Sequence, residues 1–191
     1  MSFACGQTYE GILKKQRIIK NSILRIDNLI NILYKDSSFF NPKMQLIIER
    51  EFFIFCEEIY SCLDYYSYIL RHYQRKSDKY RGQKITKAKF NDVLTGYSKN
   101  KNRLIYTNDK MQSLLMDASL WYPKIHDIRS KEVHCCMGTI DFIDGQLCYY
   151  SNTEYGEYGR IIFNMEGIKE IHYRFEKFID DALKAIIENQ I

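Results

Sequence analysis

The chain has 191 residues, of which 46% are hydrophobic and 27% charged, a composition that excludes intrinsic disorder and suits one domain with a proper core. Two prolines and nine glycines leave few tight turns, which argues against a sandwich of many short strands and for long helices. The net charge of +4 is unevenly placed: eleven Lys/Arg face only Asp78 and Asp92 between Arg71 and Arg103, making that segment +9 and the remainder −5.

In chain order, a first helix is predicted over about Gln7 to Lys35, because Ile12, Ile19, Ile23, Ile26, Ile30 and Leu33 recur on one face. Asp36-Ser37-Ser38 breaks that pattern, and Asn41-Pro42 restarts it, with Asn as N-cap and Pro in the first helical position. The second helix, to about Tyr73, is apolar nearly all round from Phe52 to Leu70 and so reads as the central one. Its polar stripe, Glu57, Ser61, Asp64 and Arg71, either faces solvent, the reading favoured on pattern alone, or approaches a polar site on another helix.

From about 74 to 108 the periodicity weakens and basic residues concentrate, as in an insertion carrying one short helix around Ile85, Phe90, Val93 and Leu94. Clustered positive charge attracts nucleic-acid phosphates through counterion release, although a solvated face is the more ordinary use of such a run. A third long helix starts near Asn108-Asp109 with Met111, Leu114, Leu115, Ala118 and Trp121 inward, and Pro123 predicts a kink or break near Leu120 to Tyr122. The pattern resumes through Ile125, Ile128 and Val133 and ends around Cys136 to Gly138.

Thr139 to Ile143 and Leu147 to Ser151 then flank Asp144-Gly145, a type I′ hairpin signal, with Arg160 to Phe163 as a third short strand. A last helix from about Asn164 to Glu188 carries Ile168, Ile171, Phe175, Phe178, Ile179, Leu183 and Ile186 at helical spacing. No run of about 18 apolar residues predicts a membrane span. The order of Met1 to Tyr9 followed by Lys14, Lys15 and Arg17 is wrong for a secretory signal. Six scattered cysteines show no disulfide rhythm, and Cys56 and Cys62 fall in an apolar helical pattern. These features together predict a cytoplasmic chain in a reducing compartment, with no membrane association.

The segment that carries chemistry runs from Lys124 to His134, where Arg129 is followed by the small polar Ser130 and, after four intervening residues, by His134. An Arg-to-His spacing of this kind is common by chance, so its weight comes from its place at the end of a helix that follows an apolar central one. In that context it resembles the HEPN family (higher eukaryotes and prokaryotes nucleotide-binding domains), a four- or five-helix bundle marked by Arg, a polar residue and a His four to six places after the Arg. The resemblance covers the second helix through His134, and the other helices only by count. It departs from the pattern in having Ser130 where Asn is frequent, and in the added basic insertion and hairpin.

The resemblance implies a metal-independent endoribonuclease of defence or toxin type, active as a homodimer, with Arg129 and His134 as the catalytic pair and Ser130 as their polar companion. It implies RNA as substrate and a protein partner or antitoxin; the clustered charge of Arg71, Arg75, Lys76, Lys79, Arg81 and Lys84, which the family pattern lacks, would then help to hold the RNA. The alternative within the family is a non-catalytic module that binds a partner protein or a nucleotide, and outside it an unrelated helical scaffold with a solvated insertion. Arginine suits the chemistry because its planar, permanently charged fork matches phosphate oxygens. Histidine suits it as the side chain that ordinarily titrates nearest neutrality, a ready general acid or base.

Five residues along an ideal helix place Arg129 and His134 about 140° apart, so they converge only if the helix ends between them or a partner supplies one of them. The more ordinary reading is an arginine paired with Glu132 or another acid and a histidine at a helix end. His126, His134, Cys135 and Cys136 are close in sequence, but adjacent cysteines chelate one ion poorly and no second CxxC-type pair exists. Neither a metal nor another cofactor is expected, no signature supports a Cys135 nucleophile, and no phosphate-binding glycine loop is present. The tyrosines around the hairpin, Tyr149, Tyr150, Tyr155 and Tyr158, suit base stacking but more often serve as core or interface residues. The predicted whole is one mainly α domain over 1–191, a four- to five-helix HEPN-like bundle with an insertion at about 74–108 and a β-hairpin at about 139–163 before the last helix.

Overall fold

The computed structural model describes residues 3–76, 89–99, 109–134, 139–143, 146–151, 159–162 and 165–188. Five helices dominate: α1 (Phe3–Lys35), α2 (Pro42–Lys76), α3 (Phe90–Lys99), α4 (Asp109–His134) and α5 (Met165–Ile187). Between α4 and α5 lie β1 (Thr139–Ile143), β2 (Gln146–Ser151) and β3 (Gly159–Ile162), antiparallel in that order. The mainly α architecture with a hairpin before the C-terminal helix follows the patterning, and a third strand extends the hairpin into a small sheet. Among the described residues no helix is long and apolar enough to cross a membrane.

Local chemistry accounts for the helix ends. Asn41 Oδ1 accepts hydrogen bonds from the Lys43 and Met44 backbone N–H groups, each at 3.1 Å, and Pro42 opens α2 where no N–H partner is needed. The Asp36 carboxylate accepts from the Ser38 N–H and starts a single 3-10 turn between α1 and α2. Pro123 neither ends nor splits α4, so of the predicted kink or break the break does not occur. Its ring removes the hydrogen bond to the Ser119 carbonyl, but Ser119, Leu120 and Pro123 all lie on the exposed side, where such a loss costs least.

Cross-helix pairs fix the topology. Lys15 bonds Glu58 and Arg25 bonds Glu51, so α1 and α2 run antiparallel. Lys169 with Asp27 and Gln16 with Glu176 make α1 and α5 antiparallel. Arg129 with Glu57 and Tyr66 with Met111 do the same for α2 and α4, and Arg174 bridges α5 to Asp117 of α4. The result is an up-down-up-down bundle of α1, α2, α4 and α5, with α3 wedged at one end. Gly11 allows close approach of the first two helices, since a Cβ there would stand 2.5 Å from Cε2 of Tyr65.

The sheet packs on the first half of α2. Gln45 Nε2 donates to the Ile140 carbonyl at 2.8 Å and Glu49 Oε1 accepts from the Ile140 N–H at 2.9 Å, so helix side chains cover the free edge of β1. Tyr149, the cross-strand partner of Ile140, lies against Phe52 and Phe53. The dipeptide Asp144-Gly145 lies outside the described residues, but pairing of Ile143 with Gln146 leaves a two-residue connection.

One ion pair in this frame is unequal. Arg25 Nη1 reaches Glu51 Oε1 at 2.9 Å, yet the Arg25 side chain is 65% exposed and that of Glu51 only 9%. The other Glu51 oxygen is buried with no hydrogen bond among the described residues. Arg25→Ala is therefore expected to cost about 1–3 kcal/mol, since it strands a buried carboxylate. Glu51→Leu is expected to be neutral or stabilising, because it removes the desolvation penalty along with the pair. Urea denaturation of the two variants checks both signs.

Candidate active site

The polar stripe of α2 is half-buried against other helices. Glu57, Tyr60 and Asp64 meet α3 and α4, and α4 answers with Tyr122, His126 and Arg129. The solvent reading favoured on pattern holds only in part: Glu57 keeps 46% of its side chain exposed while it pairs across the helix seam.

Arg129 is the centre of this seam. Its Nε donates to Glu57 Oε2 at 3.1 Å, and its guanidinium carbon lies 4.6 Å from the centre of the Tyr60 ring. Ser61 Oγ donates to the other Glu57 oxygen, Oε1, at 3.4 Å. Contact with the Tyr60 ring and the bond from Nε hold the guanidinium in place. Among the described residues its terminal nitrogens make no hydrogen bond, and the side chain keeps 27% of its exposure. A fork held at its base with its tips free is the arrangement a phosphate oxygen pair requires.

Beside it Tyr60 and Tyr122 stack at 6.3 Å with 20° between their planes, and His126 lies 6.0 Å from the first ring and 5.8 Å from the second. Burial raises the Tyr60 phenol above its ordinary range, the charge of Asp64 adds to this, and Arg129 opposes it. Burial pushes the Tyr122 phenol up further, and its hydroxyl is buried with no hydrogen bond among the described residues.

Asp64 ties α3 to the same seam. Its Oδ1 accepts from the Phe90 N–H at 2.8 Å, capping the first helical residue from a neighbouring helix. Burial raises the Asp64 carboxyl above its ordinary 3.8, against the opposing pull of the Phe90 N–H, Lys89 and Arg129. The folded chain thus holds this proton more tightly than the unfolded one, and the resulting stability is present below the ordinary value and lost as pH rises through the raised one. Asp64→Asn keeps an acceptor oxygen without the charge, so its stability relative to the wild type is expected to improve as pH rises from about 4 to about 7. Asp64→Ala loses the cap and is expected to cost about 0.5–2 kcal/mol. Denaturation curves at several pH values separate the two effects.

The predicted site residues are only partly brought together. Arg129 and Ser130 are half-buried neighbours on α4, whose helix continues unbroken to His134. Position 134 therefore stands about 140° round the axis from Arg129, and the first route to convergence, a helix end between them, is absent. The His134 side chain lies outside the described residues. Arg71 shares the half-buried polar stripe of α2, its Nε buried and without a hydrogen bond among the described residues. It stands about 21 Å along the axis from Glu57. Arg75 and Lys76 close α2, while Lys79, Arg81 and Lys84 lie outside the described residues. No group of three or more potential metal ligands occurs among the described residues.

Sequence reasoning gave Tyr60 no role, left Glu57 on a stripe open to two readings and weighed His126 only as a metal ligand. The signal that could have found them is the match between a polar stripe on the most apolar helix and two polar positions, 126 and 129, three apart on α4. The class defined by this geometry is a five-helix bundle with an arginine–tyrosine–histidine seam. No protein-family model, curated protein or solved structure matches the chain.

Proposed function

We propose that this protein is a HEPN-like, metal-independent endoribonuclease of defence or toxin type that acts as a homodimer. The observation that carries the reading is Arg129: gripped at Nε by Glu57, laid on Tyr60 and open at its terminal nitrogens. In RNA cleavage by the 2′-hydroxyl, charge accumulates on the phosphorane oxygens, and a fixed guanidinium stabilises it without a metal. His134 is the proton carrier that the family resemblance assigns, with Ser130 beside the arginine. Since both positions lie on one continuous helix, His134 meets Arg129 only from a second copy of the chain.

The outer side of α4 supports such a pairing. Met116 and Leu120 are 56% and 69% exposed there. Position 134 lies five turns on from Met116, on the same line of the helix. A copy that covers this apolar line meets position 134 as well. Arg71, Arg75, Lys76, Lys79, Arg81 and Lys84 serve in this reading as phosphate contacts, so binding weakens steeply with salt. A protein antitoxin remains part of the same reading, and a non-catalytic module binding a protein or nucleotide is its alternative.

The test is cleavage of a broad RNA panel in EDTA by the purified chain, beside folded Arg129→Ala and His134→Ala variants. Cleavage by the wild type, lost in both variants, supports the enzyme. A well-folded wild type that cuts nothing selects the binding module.

A further inference from the structure

The histidine that the fold sets beside Arg129 is His126. The two are three residues apart on α4, about 60° round the axis and about 4.5 Å along it, on the side that meets α2. Both touch the same ring, His126 at 6.0 Å between centres and the Arg129 guanidinium at 4.6 Å. A single phosphodiester seated on the Arg129 fork is thus within reach of the imidazole. Tyr60 and Tyr122 hold the imidazole by ring contacts alone, and among the described residues its nitrogens make no hydrogen bond. Its faces are fixed while both nitrogens stay uncommitted, which a proton carrier needs and a structural histidine usually lacks.

We infer that His126 is a catalytic proton-transfer residue of the Arg129 site, supplied by the same subunit. This rests on the ribonuclease reading above. The imidazole takes the 2′-hydroxyl proton as the 2′ oxygen–phosphorus bond forms. The 5′ oxygen takes a proton, as the phosphorus–5′ oxygen bond breaks, from the His134 that a second copy supplies in the reading above. The products are a 2′,3′-cyclic phosphate and a 5′-hydroxyl, no electron is transferred, and exchange with water restores both imidazoles. Arg129 carries the charge of the phosphorane throughout. The charged and titratable groups around the pair are Glu57, Tyr60 and Asp64 on α2, Asp92 on α3 and Tyr122 on α4. The two phenols are raised by burial and so are held in their neutral form more firmly than ordinary tyrosines.

The experiment measures RNA cleavage in EDTA by the full chain and its His126→Ala and His126→Gln variants, with folding checked by circular dichroism. Rates are taken across pH, with and without added imidazole. The expected result is a loss of about a hundredfold in both variants. One limb of the wild-type pH profile should vanish, and imidazole should partly restore the alanine variant, whose side-chain space it can enter. Cleavage within a few fold of wild type in a folded variant overturns the inference and leaves the ribonuclease reading standing. An equal loss at every pH, untouched by imidazole, also overturns it, because that is what a merely structural histidine gives. A wild type that cleaves no RNA removes the ribonuclease reading itself, and this inference with it.

Discussion

Arg129→Ala is expected to lower RNA cleavage by about 10²–10³-fold, the usual consequence of deleting one fixed donor at a developing oxyanion. The fold should survive the change. The Arg129–Glu57 pair leaves 27% and 46% of its two side chains exposed, so its loss is expected to cost about 1 kcal/mol or less. Arg129→Lys is the sharper variant. Lysine keeps the charge but loses the planar fork, the bond from Nε to Glu57 and the guanidinium contact over Tyr60, so it should recover little of the rate. Single-turnover cleavage with both variants, alongside their denaturation midpoints, separates chemistry from stability. Unchanged cleavage by a folded alanine variant would mean that the arginine is only a strut between α2 and α4.

Phe90→Ala is expected to be the most destabilising of these substitutions, at about 3–5 kcal/mol. Phe90 is fully buried at the start of α3 and meets a ring from each of three other helices. Its centroid lies 6.2 Å from Tyr66 of α2, 4.9 Å from Tyr122 of α4 and 5.3 Å from Phe178 of α5. Removing it opens a cavity where four helices converge, and the neighbouring rings are too rigid to close it. The change also frees Tyr122, which stacks on Tyr60 under Arg129, so the site should loosen as the fold weakens. Guanidinium denaturation gives the stability loss directly, and a loss below about 1 kcal/mol would show that α3 is not anchored through this ring.

Much of the architecture was legible before any coordinate, for identifiable reasons. The isoleucine line from Ile12 to Leu33, the Asn41-Pro42 start and the Asp144-Gly145 signal are local patterns, and local patterns report helix faces, caps and turns directly. Pro123 left two outcomes open, a kink or a break, and the unbroken helix removes the break. The stripe of Glu57, Ser61 and Asp64 read as solvated because a polar line on a helix looks the same whether water or an arginine meets it.

Helical periodicity by itself sets Arg129 and His126 on one side of α4 and position 134 on another, since the angle between residues on a helix needs no neighbour. The tertiary structure alone decided that the shared side meets Glu57 and Tyr60 of α2 and that Asp64 caps α3. It likewise brought rings from three other helices together around Phe90. Those contacts join residues far apart in the chain, and their formation depends on which apolar faces bury one another, a property of the packed whole that no local window contains.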